Sequence, residues 1–310
     1  MRPGVRRLPL VKVRIGIGLG TQTLAGEPER FLPFVDALEA HGFDSLWLSE
    51  RLTGPAPDPL VALAVAAGRT RKLKLGTSVL VLPGRNPVVL AKELASLDQL
   101  SGGRLLPAVG IGAPVPAEHR AFGVDRRERA GLFDEAIGLI RRLWSEDDVH
   151  HDGPYFHVDG VTLRPRPRQD PIDVWLGGGS PSELRRTGRS GDGWLPSFTT
   201  PALAAEGWKV VTATAAEHGR TIDPEHFGVL VPYARSTVPE RLAALLARRG
   251  RDPVATPEEV VPVGVPALAR LLEGFVAVGA SKFVVLPVDE PEDWDAELAE
   301  LAAVLKPLET

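Results

Sequence analysis

Four short runs of this chain combine residue types that can do chemistry. Ser49-Glu50-Arg51 sets a carboxylate beside a guanidinium. Such a pair can orient a charged ligand, and it is also what a surface ion pair looks like. Gly76-Thr77-Ser78-Val79 is small enough for a flat ring to approach its backbone, although strand packing accounts for it on the residues alone. Gly110-Ile111-Gly112 permits the same close approach and is equally ordinary turn chemistry. Gly177 to Ser182 reads Gly-Gly-Gly-Ser-Pro-Ser and runs into a helix that begins near Ser182. Free backbone N–H groups, the hydroxyls of Ser180 and Ser182 and a helix N-terminus together make a phosphate cradle; a capped flexible turn uses the same residues. His150, His151 and His157 lie among Asp147, Asp148 and Asp152, but their spacing matches no metal motif, so no metal is expected there. No serine stands in a G-x-S-x-G elbow, and a barrel hydrolase is a distant alternative.

The elements that must position these runs alternate along the chain. Apolar strands are expected at 13–19, 43–48, 73–80, 105–110, 172–176, 194–195, 227–233 and 283–286. Pro107 lacks a ladder donor, so the fourth should carry a bulge or be short. Helices are expected at 29–41, 58–69, 87–102, 127–144, 182–189, 201–218, 239–249, 266–278 and 294–305. In the third of these, Asn86 caps a helix whose first residue is Pro87, and Gly102 closes it. Eight strands alternating with helices predict an α/β fold, a (β/α)8 TIM barrel, and about 250 residues or more suffice for one. Residues 13–310 read as one domain behind an arm at 1–12, with an inserted hairpin or loop at about 147–171. A doubly wound sheet is the rival, but Gly16, Gly18 and Gly20 alternate along the first strand instead of forming a phosphate loop after it. In a barrel the βα loops carry the chemistry, and all four runs fall at strand ends.

Composition narrows the partners. A net charge of −4 gives no electrostatic case for nucleic acid. The absence of cysteine excludes disulfides, thiolate metal sites and cysteine catalysis. No 18-residue apolar run and no signal-like N-terminus is present, so a cytoplasmic protein with no membrane partner is expected.

Read in order, several phrases resemble one family. They are Gly42 to Glu50, Gly76 to Leu80, Asn86-Pro87 through Leu97-Asp98 to Ser101-Gly102-Gly103-Arg104, Gly153 to Phe156, and Val174 to Gly178 through Gly191 to Trp194. The chain is similar to the bacterial-luciferase-like oxidoreductases, in particular the branch common in actinobacteria that uses coenzyme F420, a deazaflavin. The resemblance implies a barrel with an insertion, usually a homodimer, and a cofactor lying across the strand C-termini. It implies a non-proline cis peptide at Ser78–Val79 against the ring, with Thr77 beside it. It places Glu50 beside the ring, Gly110, Ile111 and Gly112 along the cofactor, and Gly178, Gly179, Ser180 and Ser182 at its phosphate. Sugar-phosphate dehydrogenases of this branch follow the acid with a histidine and carry a glutamate just past the fourth-strand G-x-G; here Arg51 and Ala113 stand there. With a pKa above about 12, Arg51 is no general base, but it can polarise an acceptor or hold an anion. The expectation is therefore hydride transfer to a small organic substrate, with Glu50 and Arg51 as the catalytic pair. FMN-dependent monooxygenation and non-catalytic cofactor binding are the alternatives.

Overall fold

A computed structural model gives the architecture of residues 11–23, 27–249 and 256–310. Most of the N-terminal arm at 1–12 lies outside these described residues. The strands are β1 (Arg14–Leu19), β2 (Ser45–Leu48), β3 (Lys74–Thr77), β4 (Leu80–Val81), β5 (Leu105–Leu106), β6 (Ala108–Gly110), β7 (Val149–Asp152), β8 (His157–Val161), β9 (Trp175–Gly177), β10 (Gly193–Leu195), β11 (Gly228–Tyr233) and β12 (Lys282–Pro287). Apart from the β7–β8 pair, every ladder is parallel.

One sheet runs β11-β12-β1-β2-β3-β5 and the other β10-β9-β6-β4. They share two staves. β4 continues β3 beyond the cis Ser78–Val79 peptide, and β6 continues β5 beyond Pro107. Isolated parallel bridges Trp194–Phe227 and Ser197–Leu230 join β10 to β11, so eight staves return on themselves in a TIM-type barrel. Pro107 interrupts its stave as its missing N–H requires, and its carbonyl still accepts from Trp175 N–H at 2.9 Å.

Side chains alternate between two apolar regions, as strand geometry dictates. Leu46, Leu48, Phe283 and Val285 face the surrounding helices, whereas Trp47 and Val284 point inward to meet Ala108, Trp175, Leu195 and Leu230. The helices start and stop where the sequence signals them. Asp58 accepts from the N–H groups of Leu60 and Val61, Asn86 from those of Val88 and Val89, and Gly102 ends its helix at φ 78°. The helix expected from Ser182 begins at Pro181, because Ser180 is the cap. The 147–171 insertion is the antiparallel β7–β8 hairpin. Two short helices, Pro116–Ala121 and Pro257–Val260, were not legible in the sequence. Among the described residues no helix is long and apolar enough to cross a membrane.

The family phrases lock these layers together. Asp98, fully buried, accepts from Arg168 N, Gln169 N and Gln169 Nε2 and so ties down the end of the insertion. Arg104 donates to the carbonyls of Ala67, Thr70, Leu73 and Ser101, which closes the barrel floor under β3.

Candidate active site

A cavity of about 140 Å³ opens at the C-terminal ends of β2, β4 and β6. Glu50, Arg51, Ile111 and Gly112 of the expected residues line it, together with Val81, Pro83 and the loop after β6. Thr77, Ser78, Val79 and the 178–182 loop are not among its lining residues.

Glu50 ends β2 with its side chain only 3% exposed. Its Oε2 accepts from Val81 N–H at 2.5 Å, and its Oε1 is bound by Arg85 Nη2. Burial pushes its carboxyl above the ordinary value, against the pull of Arg85 and the Val81 N–H. The acid is thus a clamp between two staves, with both oxygens engaged. Arg51, next in the chain, is exposed, and its guanidinium makes no hydrogen bond or ion pair within 4 Å among the described residues.

The two staves at the centre show what their glycines are for. Thr77 is fully buried and spends its hydroxyl on Ala108, donating to its carbonyl at 2.7 Å and accepting from its N–H at 3.0 Å. That leaves it no hydroxyl for a cofactor. Ser49 Oγ donates to the Ser78 carbonyl at 3.1 Å. A Cβ on Gly110 would lie 2.6 Å from one methyl of Val79, and a Cβ on Gly177 2.9 Å from the other. These glycines therefore make room for Val79 inside the barrel. Gly112 is different: its φ is +80° and a Cβ would sit 3.1 Å from Val81 on the cavity wall.

The loop after β9 carries an unexpected occupant. Glu183 Oε2 accepts from Gly179 N at 3.1 Å, Ser180 N at 2.8 Å and Ser180 Oγ at 2.6 Å. A carboxylate of the chain itself fills the anion cradle, with Ser182 Oγ 3.2 Å from Ser180 Oγ. Gly178 takes φ +98°, where a Cβ would meet Glu183 at 2.6 Å, and its carbonyl accepts from Trp194 Nε1.

Three ionisable lining residues were not among the expected site residues. Glu118, on the short helix Pro116–Ala121, accepts from Leu52 N and Thr53 N at 3.0 and 2.9 Å and from the Thr53 hydroxyl. Burial opposes its ionisation, but these donors and the charge of Arg51 hold its carboxyl below the ordinary value. His119 Nε2 lies 3.0 Å from the Ala113 carbonyl and 3.1 Å from Arg129 Nη1. Arg129 opens the helix Arg129–Ser145 and donates to the carbonyls of Ile111 and Gly112 at 3.3 and 3.0 Å. Pro116 hid the short helix, and Arg129 was one charge among Arg126, Arg127 and Glu128 in a stretch that reads as solvated. The 113–124 loop walls the cavity, whereas the 147–171 insertion contributes none of its lining residues. Its histidines pair with carboxylates: His150 with Asp148 and Asp159, His157 with Asp152, His151 with Glu135.

This arrangement has recognisable relatives. The family described as luciferase-like monooxygenase matches residues 10–264. An F420-dependent glucose-6-phosphate dehydrogenase of Kineococcus radiotolerans is 36% identical over 215 residues, which is 63% of this chain and 63% of that enzyme. The chain thus spans just under two thirds of that relative. An enzyme of the same name from Beutenbergia cavernae is 30% identical over 302 residues, 91% of this chain and 85% of that one. A solved F420-dependent secondary alcohol dehydrogenase, in complex with an F420-acetone adduct, shares the fold with a TM-score of 0.80 at 20% identity, covering 96% of this chain and 100% of that one. From the length of that match, and from a barrel whose stave-end phrases sit around one cavity, the chain belongs to the luciferase-like monooxygenase family.

Proposed function

We propose that this protein is a coenzyme F420-dependent oxidoreductase that reduces a small organic acceptor, an activated carbonyl or double bond, in the cytoplasm. One observation carries the direction: a guanidinium with no hydrogen bond or ion pair among the described residues, Arg51, lines the cavity where an alcohol oxidiser needs a base. A fixed cation stabilises negative charge developing on an acceptor oxygen. The other acid at this position, Glu50, is held by Arg85 and Val81. Among the described residues, His119 is the one imidazole in the cavity lining.

The residues present fit the cofactor. Gly112 leaves open a space that a Cβ would close against Val81, and Ile111, Val81 and Pro83 give an apolar wall for a ring. Gly179 N, Ser180 N and the Ser180 hydroxyl already bind an oxyanion, with Ser182 Oγ beside that hydroxyl, so a phosphate would be held there in exchange for Glu183. When bound, the deazaflavin supplies a hydride donor or acceptor at its C5. Titration of the purified apo-protein with coenzyme F420 and with FMN, followed by fluorescence, tests the reading. Binding of F420 at least tenfold tighter than FMN is the expected result. Preference for FMN would transfer the assignment to a flavin-dependent monooxygenase, which the family's description makes the second reading.

The homodimer belongs to the same proposal. Val61 and Val65, one helical turn apart on the helix Pro59–Arg69, are 64% and 47% exposed, and Val89 on the neighbouring helix Pro87–Ser101 is 54% exposed. A second copy covering this face is supported by the apolar area left open. Light scattering should give twice the chain mass for the wild type and half that value for Val61→Glu/Val65→Glu.

A further inference from the structure

We propose that Arg129 and Arg51 together form a two-point receptor for the carboxylate of the acceptor, so that the substrate is a small organic anion. This rests on the reductase reading above and names its substrate class. Arg129 is only 8% exposed, yet no carboxylate lies within 4 Å of it among the described residues. Its Nη1 is turned to the carbonyls of Ile111, Gly112 and Ala113, and its Nε to that of Arg126 at 3.4 Å. Its Nη2 has no partner among the described residues. Carbonyl oxygens orient a guanidinium without cancelling its charge, and a buried charge is normally paired. Arg51 lines the same cavity; it is exposed, and no carboxylate lies within 4 Å of it among the described residues. Of the two carboxylates of the cavity, Glu50 is engaged by Arg85 and Val81 N, and Glu118, which feels the charge of Arg51 from beyond 4 Å, spends its oxygens on Leu52 and Thr53. Glu183 attracts Arg129 only at longer range, with Oε2 bound to Gly179 and Ser180. Val81, Pro83, Ile111 and Phe122 supply apolar wall beside them, which strengthens the field of both cations. Guanidinium forks take a carboxylate in two parallel hydrogen bonds, which fixes its orientation as well as its place.

Calorimetric titration of the apo-protein with maleate, and with maleamide as its uncharged counterpart, tests the receptor. Maleate should bind at least tenfold tighter than maleamide, and the difference should shrink as salt is added. Arg129→Met and Arg51→Met should each weaken maleate binding about tenfold or more without changing maleamide. Arg129 also holds three carbonyls, so Arg51→Met, at an exposed residue with no side-chain bonds, decides the matter if the other variant does not fold. Equal binding of the two compounds, or unchanged maleate affinity in Arg51→Met, overturns the proposal. The titration is repeated with saturating coenzyme F420. Maleate binding that persists supports a substrate site beside the cofactor. Competition between the two gives the guanidinium pair to the cofactor's phosphate and overturns the proposal. Maleate selectivity with no F420 binding supports the receptor and removes the deazaflavin reading instead.

Discussion

Glu50→Ala should lower the unfolding free energy by about 3 kcal/mol, the lower end of the range for breaking a buried ion pair by removing one partner. The Glu50 side chain is 3% exposed and that of Arg85 20%. Without the carboxylate, Arg85 keeps the Val81 carbonyl at 3.1 Å and Asp58 at 3.7 Å, which is why the loss stays at the lower end. The Val81 N–H is left without its acceptor, and β4 loses its tie to the end of β2. Glu50→Gln keeps an acceptor for that N–H and should cost about 1–2 kcal/mol. Urea unfolding of both variants reads the difference. The pH dependence has a definite sign. Burial raises the folded carboxyl's pKa above its unfolded value of about 4.3. A raised carboxyl contributes most stability below the unfolded pKa and loses it as pH rises through the folded one. Glutamine cannot ionise, so the gap between wild type and Glu50→Gln should narrow from about pH 4 toward neutrality. A gap that widens over that window would mean that Arg85 and the Val81 N–H outweigh burial, and an Ala variant as stable as wild type would sink the clamp. Because Val81 and Pro83 wall the cavity, Glu50→Ala should also weaken cofactor binding.

The barrel was legible because its evidence is periodic. Alternating strands, the caps Asp58 and Asn86 and the closing Gly102 are local signals, and tertiary packing agreed with each. The break at Pro107 followed from one missing N–H. The site was legible only as positions. Sequence placed Glu50 and Arg51 at a strand end, but their opposite fates depend on Arg85, 35 residues away. Gly110 and Gly177 looked like room for a cofactor; the side chain they admit is Val79, which only the folded staves bring between them. The 178–182 loop was read as an open cradle, although Glu183 three residues past the cap is the capping-box signature and supplies the occupant. Arg129 could not be separated from its charged neighbours, since its burial comes from the loop folding over it.

Gly76→Ala should be among the most damaging single methyls added to this barrel. The new Cβ would lie 2.3, 2.4 and 2.8 Å from three atoms of the Trp47 indole. That ring is fully buried, and its Nε1 donates to Ser45 Oγ at 2.8 Å. It is hemmed in on the other side by β1, where a Cβ on Gly16 would lie 2.9 Å from the same nitrogen. The indole therefore cannot move aside without breaking its hydrogen bond or shifting a strand. Overpacking costs typically about 1–3 kcal/mol, and with no direction of relief about 3 kcal/mol or more is expected here. Gly68→Ala is the contrast. That glycine sits inside the helix Pro59–Arg69 with nothing within 4 Å of a Cβ, so the same methyl should stabilise by about 0.5–1 kcal/mol. The source of the damage is separable by a cycle with Trp47→Phe. If the indole is the obstacle, Gly76→Ala costs much less in the phenylalanine background, a coupling of about 1–3 kcal/mol. Equal cost in both backgrounds would place the strain in the backbone instead. Gly76 immediately precedes Thr77, Ser78 and Val79, so a shift that accommodates the methyl must propagate along this stave toward Val81 on the cavity wall. Partial rescue of stability by Trp47→Phe without rescue of F420 binding would show that the site needs the indole where it stands.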